Sequence, residues 1–179
     1  MLRKFLMFLI VLLLGLIVGS FFLPDRVLVE RSIELKQKPA EVFSLLNGFQ
    51  HYSEWSPWHD ESMQYLPSGS ERGRGAVLEW QSVHRGEGRL EITESIAWEK
   101  ITTRMEFGGS GEVYSRFLFQ RSSTGTTLRW QYESDLSNIE NPLYRHAGRY
   151  LALMMDDWII EDYDRGLLRI RQLADANSN

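Results

Sequence analysis

The chain has 179 residues, 43% of them hydrophobic and 25% charged, with a formal net charge of −4, a size that suits one ordinary globular domain. An acidic balance without clustered Lys and Arg argues against a nucleic-acid partner, because neutralising phosphates takes such clusters. Cysteine is absent, which excludes disulfides, thiolate metal sites, Fe–S ligation, cysteine nucleophiles and lipidation through a thiol.

From Phe5 to Leu23 the chain carries no charge and is almost wholly Leu, Ile, Val, Phe and Met, close to the roughly 20 residues a helix needs to cross a bilayer core. Residues 1–25 are therefore expected to form one transmembrane anchor. A cleaved signal peptide is the competing reading, but its apolar core runs to about 7–15 residues and ends at an A-x-A-like site. Here Phe21, Phe22 and Leu23 prolong the run past Gly19 and Ser20, which favours retention. Arg3 and Lys4 precede the run and favour a cytoplasmic N-terminus with the following domain on the exported side, periplasmic or extracellular. Arg26, Arg31, Lys36 and Lys38 weigh the other way. Gly15 and Gly19 form a weak G-x-x-x-G match for helix pairing in the membrane; the oligomeric state is otherwise open.

After Pro24 and Asp25 the pattern changes to alternation, with Val27, Val29, Ile33 and Leu35 on one side and Arg26, Glu30, Ser32 and Glu34 on the other, as in a half-buried strand. This marks the start of a single domain over residues 26–179. Pro39 suits the first turn of a helix that Ala40, Val42, Phe43, Leu45 and Leu46 continue, until Asn47 and Gly48 close it. A second short helical piece is expected over 49–55, before Pro57.

Strand patterns fill the middle: Ala76, Leu78 and Trp80; Leu90 and Ile92; Ile101, Thr103, Met105 and Phe107; Val113, Ser115, Phe117 and Phe119; Leu128, Trp130 and Tyr132. Gly108, Gly109 and Gly111 separate one pair of strands, and Ser122, Ser123 and Gly125 another, as hairpin connections do. One polar face along every strand implies an antiparallel sheet whose other face is covered. The expected cover is a helix from about Pro142 to Ala174, in which Leu151, Met154, Met155, Trp158, Ile159, Tyr163 and Ile170 share an arc. The fold class is α+β, a curved antiparallel sheet wrapped around a long C-terminal helix and preceded by one transmembrane helix.

In this order several local motifs carry a family resemblance. They are Val29-Glu30-Arg31-Ser32-Ile33 with Lys38-Pro39-Ala40-Glu41-Val42-Phe43; the Trp55-Ser56-Pro57-Trp58 corner; Gly73-Arg74-Gly75-Ala76 leading to Trp80; Gly86-Glu87-Gly88 before Leu90 and Ile92; Leu128-Arg129-Trp130; and Asp162-Tyr163-Asp164-Arg165-Gly166-Leu167. Over Arg26 to Ala174 the chain resembles the START-like, helix-grip superfamily, in its bacterial branch of polyketide cyclase/dehydrase and lipid-transport (SRPBCC) proteins. The resemblance implies a cavity between sheet and helix and leaves its use open. It turns certain strand and helix faces inward, so that Trp80, Phe107, Phe119, Trp130, Met154 and Trp158 are the expected ligand-binding walls.

Candidate chemistry is sparse. The G-x-G stretches at Gly73 to Gly75 and Gly86 to Gly88 open strands, whereas a phosphate loop needs a following helix N-terminus. His51, Glu54, His59, Asp60 and Glu61 are dense in potential ligands but lack metal-site spacing. No G-x-S-x-G elbow occurs, and Gly109-Ser110-Gly111 reads as a turn. Asp162 falls among apolar positions near Arg165 and Arg169, which fits an ion pair or hydrogen bond fixing the helix, or an anchor for a ligand headgroup. No catalytic residue, metal or cofactor is expected. The leading expectation is membrane-anchored binding of a lipid or other hydrophobic small molecule. The alternatives are a cyclase/dehydratase-like enzyme using Tyr114, Arg116 or His84, and a partner-binding domain with a collapsed core.

Overall fold

A computed structural model describes residues 2–107, 112–139 and 141–178, with Asn138 and residues 154–156 described in backbone only. The expected connection at Gly108, Gly109 and Gly111 lies outside the described residues. The elements in chain order are α1 (Leu2–Ser20), β1 (Arg26–Leu35), α2 (Pro39–Leu46), α3 (Tyr52–Trp55), β2 (Gln64–Gly69), β3 (Ala76–Ser82), β4 (Gly86–Ile96), β5 (Lys100–Phe107), β6 (Glu112–Arg121), β7 (Thr126–Asp135), a 3₁₀ turn (Leu136–Asn138) and α4 (Pro142–Ala176).

The seven strands form one antiparallel sheet in the order β1-β7-β6-β5-β4-β3-β2. Alternation sorts its two faces: Leu78, Trp80, Leu90, Ile92, Met105, Phe117, Phe119, Leu128 and Trp130 are buried, while Arg89, Arg104, Arg116 and Arg129 join carboxylates on the other side. A register shift between Ile92 and Glu94 bends β4, as an extra residue in one strand of a pair does. β2, an edge strand, escapes sequence reading because it contains Pro67 and its residues are mostly exposed.

α2 begins with Pro39 at its first turn, and the Glu41 carboxylate accepts from the Lys38 N–H at 2.8 Å, satisfying one of the donors a helix start leaves open. α2 and α3 close one end of the sheet, and α4 lies across its buried face. The buried side of α4 differs from the expected arc. Ala152, Ile159, Tyr163, Leu167, Ile170 and Ala174 are buried, whereas Leu151 is 51% and Trp158 62% exposed. Arg31, on the inner face of β1, reaches α4 with a paired contact to Asp164 at 2.7 and 2.8 Å.

α1 is, among the described residues, the one helix long and apolar enough to cross a membrane, with a mean hydropathy of 2.3. Its last turn rests on α4. Ser20 Oγ lies 2.6 Å from His146 Nδ1, the Tyr150 hydroxyl donates to the Leu16 carbonyl at 2.7 Å, and Arg149 joins Asp25 at 2.6 Å and the Ser20 carbonyl at 3.2 Å. Gly19 lies beneath the Tyr150 ring, where a Cβ would come within 2.7 Å of the hydroxyl.

Candidate functional site

A cavity of about 400 Å³ opens at the β2–β5 side of the grip, lined by Tyr52, Trp58, Met63, Trp80, Met105 and Phe107 and edged by His84 and Arg85. Its inner wall is built by three neighbouring strands. Trp80 of β3 pairs with Gly88 of β4, and Gly88 pairs with Phe107 of β5. With no side chain between them, the two rings meet edge to face over the glycine, centroids 5.8 Å apart. A Cβ on Gly88 would stand 2.1 Å from the Trp80 ring, so this glycine is required by close approach.

Trp58 comes from the Trp55–Trp58 corner, and its indole N–H donates to the Asp162 carboxylate of α4 at 2.9 Å. Arg165 pairs with the same carboxylate, and Arg169 donates to the Ser56 carbonyl at 2.8 Å. Asp162 thus fixes the corner against the helix, which is the structural reading of that residue. Behind this wall Trp130 is buried against Tyr163, Phe117 and Trp55, and its indole N–H is held by Ser115.

The expected walls fall into three groups. Trp80 and Phe107 line the cavity. Phe119 and Trp130 are packed in the core, where Phe119 meets Phe43 and Trp130 lies under Tyr163, and neither is among the lining residues. Trp158 points outward, 62% exposed, because the buried arc of α4 runs through Ile159 and Tyr163 instead. The Met154 side chain lies outside the described residues. Tyr52, Met63, Met105 and Arg85 line the cavity without having been singled out. Met105 was legible as an inward strand position, whereas Tyr52 and Met63 sit on a short helix and a loop whose placement only tertiary packing decides.

The rim is polar and ordered. Asp60 accepts from the Ser62 N–H at 2.8 Å and the Ser82 hydroxyl at 3.0 Å, with Arg85 at 3.8 Å; the Ser62 hydroxyl above all holds the Asp60 carboxyl below its usual range. His59 lies 2.8 Å from the Tyr65 hydroxyl and His51 2.7 Å from Glu54, so the dense acidic and histidine stretch is dispersed into pairs. Among the described residues no three His, Asp or Glu side chains converge as metal ligands. Burial pushes the Tyr52 phenol up to about 12. Tyr114 and Arg116 lie on the opposite sheet face, bonded to Glu112 and Glu133, so of the residues weighed for catalysis His84 alone borders the cavity.

The sequence profile of polyketide cyclase/dehydrase and lipid transport proteins matches residues 26–175. A search of curated proteins finds no match. Among solved structures, a Chromobacterium violaceum protein is 16% identical with a TM-score of 0.54, covering 84% of this chain and 98% of its own. A Staphylococcus aureus protein of unknown function is 13% identical with a TM-score of 0.60, covering 84% and 97%. The di-domain ARO/CYC StfQ of the steffimycin biosynthetic pathway is 11% identical with a TM-score of 0.62, covering 86% of this chain and 52% of its own. At these identities the structural likeness concerns the fold alone. The profile match over most of the length makes this chain a member of the polyketide cyclase/dehydrase and lipid transport family.

Proposed function

We propose that the domain binds a lipid or other hydrophobic small molecule in its cavity, beside the membrane in which α1 is retained as an anchor. The observation that carries the binding reading is the cavity itself: a partly open cleft of about 400 Å³ lined mainly by tryptophan, tyrosine, phenylalanine and methionine, with His84 and Arg85 as its ionisable groups besides the Tyr52 phenol. Small-molecule sites have this character, at roughly 300–1,000 Å³ with a few placed polar groups. Arg85 and His84 at the rim suit the polar end of an amphipathic molecule whose tail lies against Met105 and Trp80. A volume of this size speaks against a collapsed core. Asp60, the acid near His84 and Arg85, is held by Ser62 and Ser82 at the rim and is not among the lining residues, which favours binding over the cyclase-like alternative.

Retention of α1 is favoured by what its end touches. Ser20 is fully buried and Arg149 is 8% exposed, and Arg149 takes its carboxylate from Asp25 just beyond the span. Removing the segment up to Ser20 would take the Ser20 contacts from His146 and Arg149 and the Leu16 carbonyl from Tyr150, leaving Arg149 with Asp25. The basic pair Arg3 and Lys4 favours the exported side for the domain, and tethering raises the local concentration of the site near membrane-derived molecules.

The test is native mass spectrometry of the full chain released from detergent micelles, with organic extraction of whatever remains bound. A stoichiometric lipid or apolar metabolite is the expected result. An empty protein that also fails to take up cis-parinaric acid saturably would overturn the binding reading.

A further inference from the structure

We propose that the amino-terminal half of α4 is a membrane-surface helix whose outward face rests in the lipid interface and seats the cavity against the bilayer. The proposal rests on the reading of α1 as a retained anchor.

Leu143, Tyr144, Leu151, Leu153 and Trp158 are 61%, 66%, 51%, 57% and 62% exposed, an unusual run of large apolar side chains on one helix. At about 100° per residue, Leu143, Ala147, Leu151 and Trp158 face away from the buried Ala152, Ile159 and Tyr163 and lie on the side next to Tyr150. Of the described charges in this half, Arg145 donates to the Ile139 carbonyl at 2.7 Å and Arg149 to Asp25, while Asp157 is exposed beside Trp158 at the margin of the apolar face, where the headgroup region admits a charge. From Glu161 and Arg165 onward the same side becomes charged, so the apolar face ends where α4 moves over the sheet.

What covers this face follows from the contact with α1. The Tyr150 hydroxyl bonds the Leu16 carbonyl, which lies about 6 Å further into the apolar run than Ser20 at about 1.5 Å of rise per residue. A bilayer around α1 at the depth of Leu16 therefore also meets α4 at Tyr150 and the side chains beside it. An apolar face with an aromatic at each end, Tyr144 and Trp158, suits the headgroup boundary. One turn past Trp158, Asp162 holds Trp58 in the cavity wall. The seat thus brings that wall to the lipid.

The chain contains no cysteine, so single-cysteine variants report without background. Full-length Leu151→Cys, Leu143→Cys, Val83→Cys and Leu12→Cys are labelled with bimane in phosphatidylethanolamine/phosphatidylglycerol nanodiscs, with and without brominated lipid, and circular dichroism confirms folding. The expected result is that labels at 143, 151 and 12 lose emission to brominated lipid, while the label at the exposed Val83 loses it to aqueous iodide. Labels at 143 and 151 indifferent to brominated lipid beside a quenched label at 12 would overturn the seat and leave the anchor standing. Labels at 143 and 151 shielded from both quenchers would overturn it in favour of a second copy on this face. A label at 12 indifferent to brominated lipid would overturn the anchor reading and the seat with it.

Discussion

Tyr163 lies flat on Trp130, ring centroids 3.9 Å apart and planes 15° from parallel, and both rings are buried. Their polar atoms converge on one hydroxyl: the Trp130 indole N–H donates to Ser115 Oγ, and the Tyr163 hydroxyl lies 3.3 Å from the same oxygen. The pair joins the middle of α4 to β7 and, through Ser115, to β6. Tyr163→Phe keeps the ring and is expected to cost about 1 kcal/mol for the lost hydrogen bond, whereas Tyr163→Ala is expected to cost about 3–5 kcal/mol through the cavity it leaves. Urea unfolding of the full chain followed by circular dichroism separates the two.

Gly166 explains how α4 comes so close. A Cβ there would meet the Trp130 ring at 2.6 Å and Pro57 at 3.2 Å, and Trp130 is too tightly held to yield. Helix propensity alone would make Gly166→Ala stabilising by about 1 kcal/mol. Overpacking, at about 1–3 kcal/mol, is expected to win, so the variant should unfold at lower urea than the parent.

Gly88→Val is expected to drive Trp80 off its place, because the new side chain occupies the gap over which Trp80 and Phe107 meet. Uptake of cis-parinaric acid should weaken at least tenfold while the circular dichroism spectrum persists. Unchanged uptake would mean that the Trp80 wall does not contribute to binding.

Alkaline pH should weaken the fold through buried phenols. Burial raises Tyr52 from 10.0 to about 12, and Tyr163 and Tyr65 are raised by burial as well. The unfolded chain loses these protons first. The stability they supply is therefore full below pH 10 and falls as pH rises from there towards the folded-state values. Unfolding free energies measured from pH 9 to 12 should decline, and Tyr52→Phe should make the decline shallower.

If α1 is retained, the full-mass chain should stay in membranes after an alkaline carbonate wash. Release into the wash, or a product shortened by the mass of the first 20 or so residues, would restore the signal-peptide reading.

The strands with one solvated face were legible because a period of two separates water from core, and α2 because Pro39 and Asn47 punctuate it. β2 was hidden by Pro67 and by the exposure of both its faces. The arc of α4 was misplaced because its apolar residues serve two surroundings: Ile159, Tyr163 and Ile170 the core, Leu151 and Trp158 the outside. Periodicity reports that side chains are apolar, not which neighbour makes them so. The link between Arg31 and Asp164 joins residues far apart in the chain, and no local pattern marks it. Of the expected walls, which rested on the family resemblance, Trp80 and Phe107 line the cavity from β3 and β5, on either side of β4, whose Gly88 lets them meet.

Pro67 has a consequence for crowding. In the outermost strand it offers no N–H, and a rim of unpaired backbone groups is where one sheet recruits another. If α1 holds the chain in a bilayer, its copies meet side by side in one plane. A missing donor in the rim denies a neighbouring copy an unbroken ladder and discourages fusion of sheets into a common ribbon.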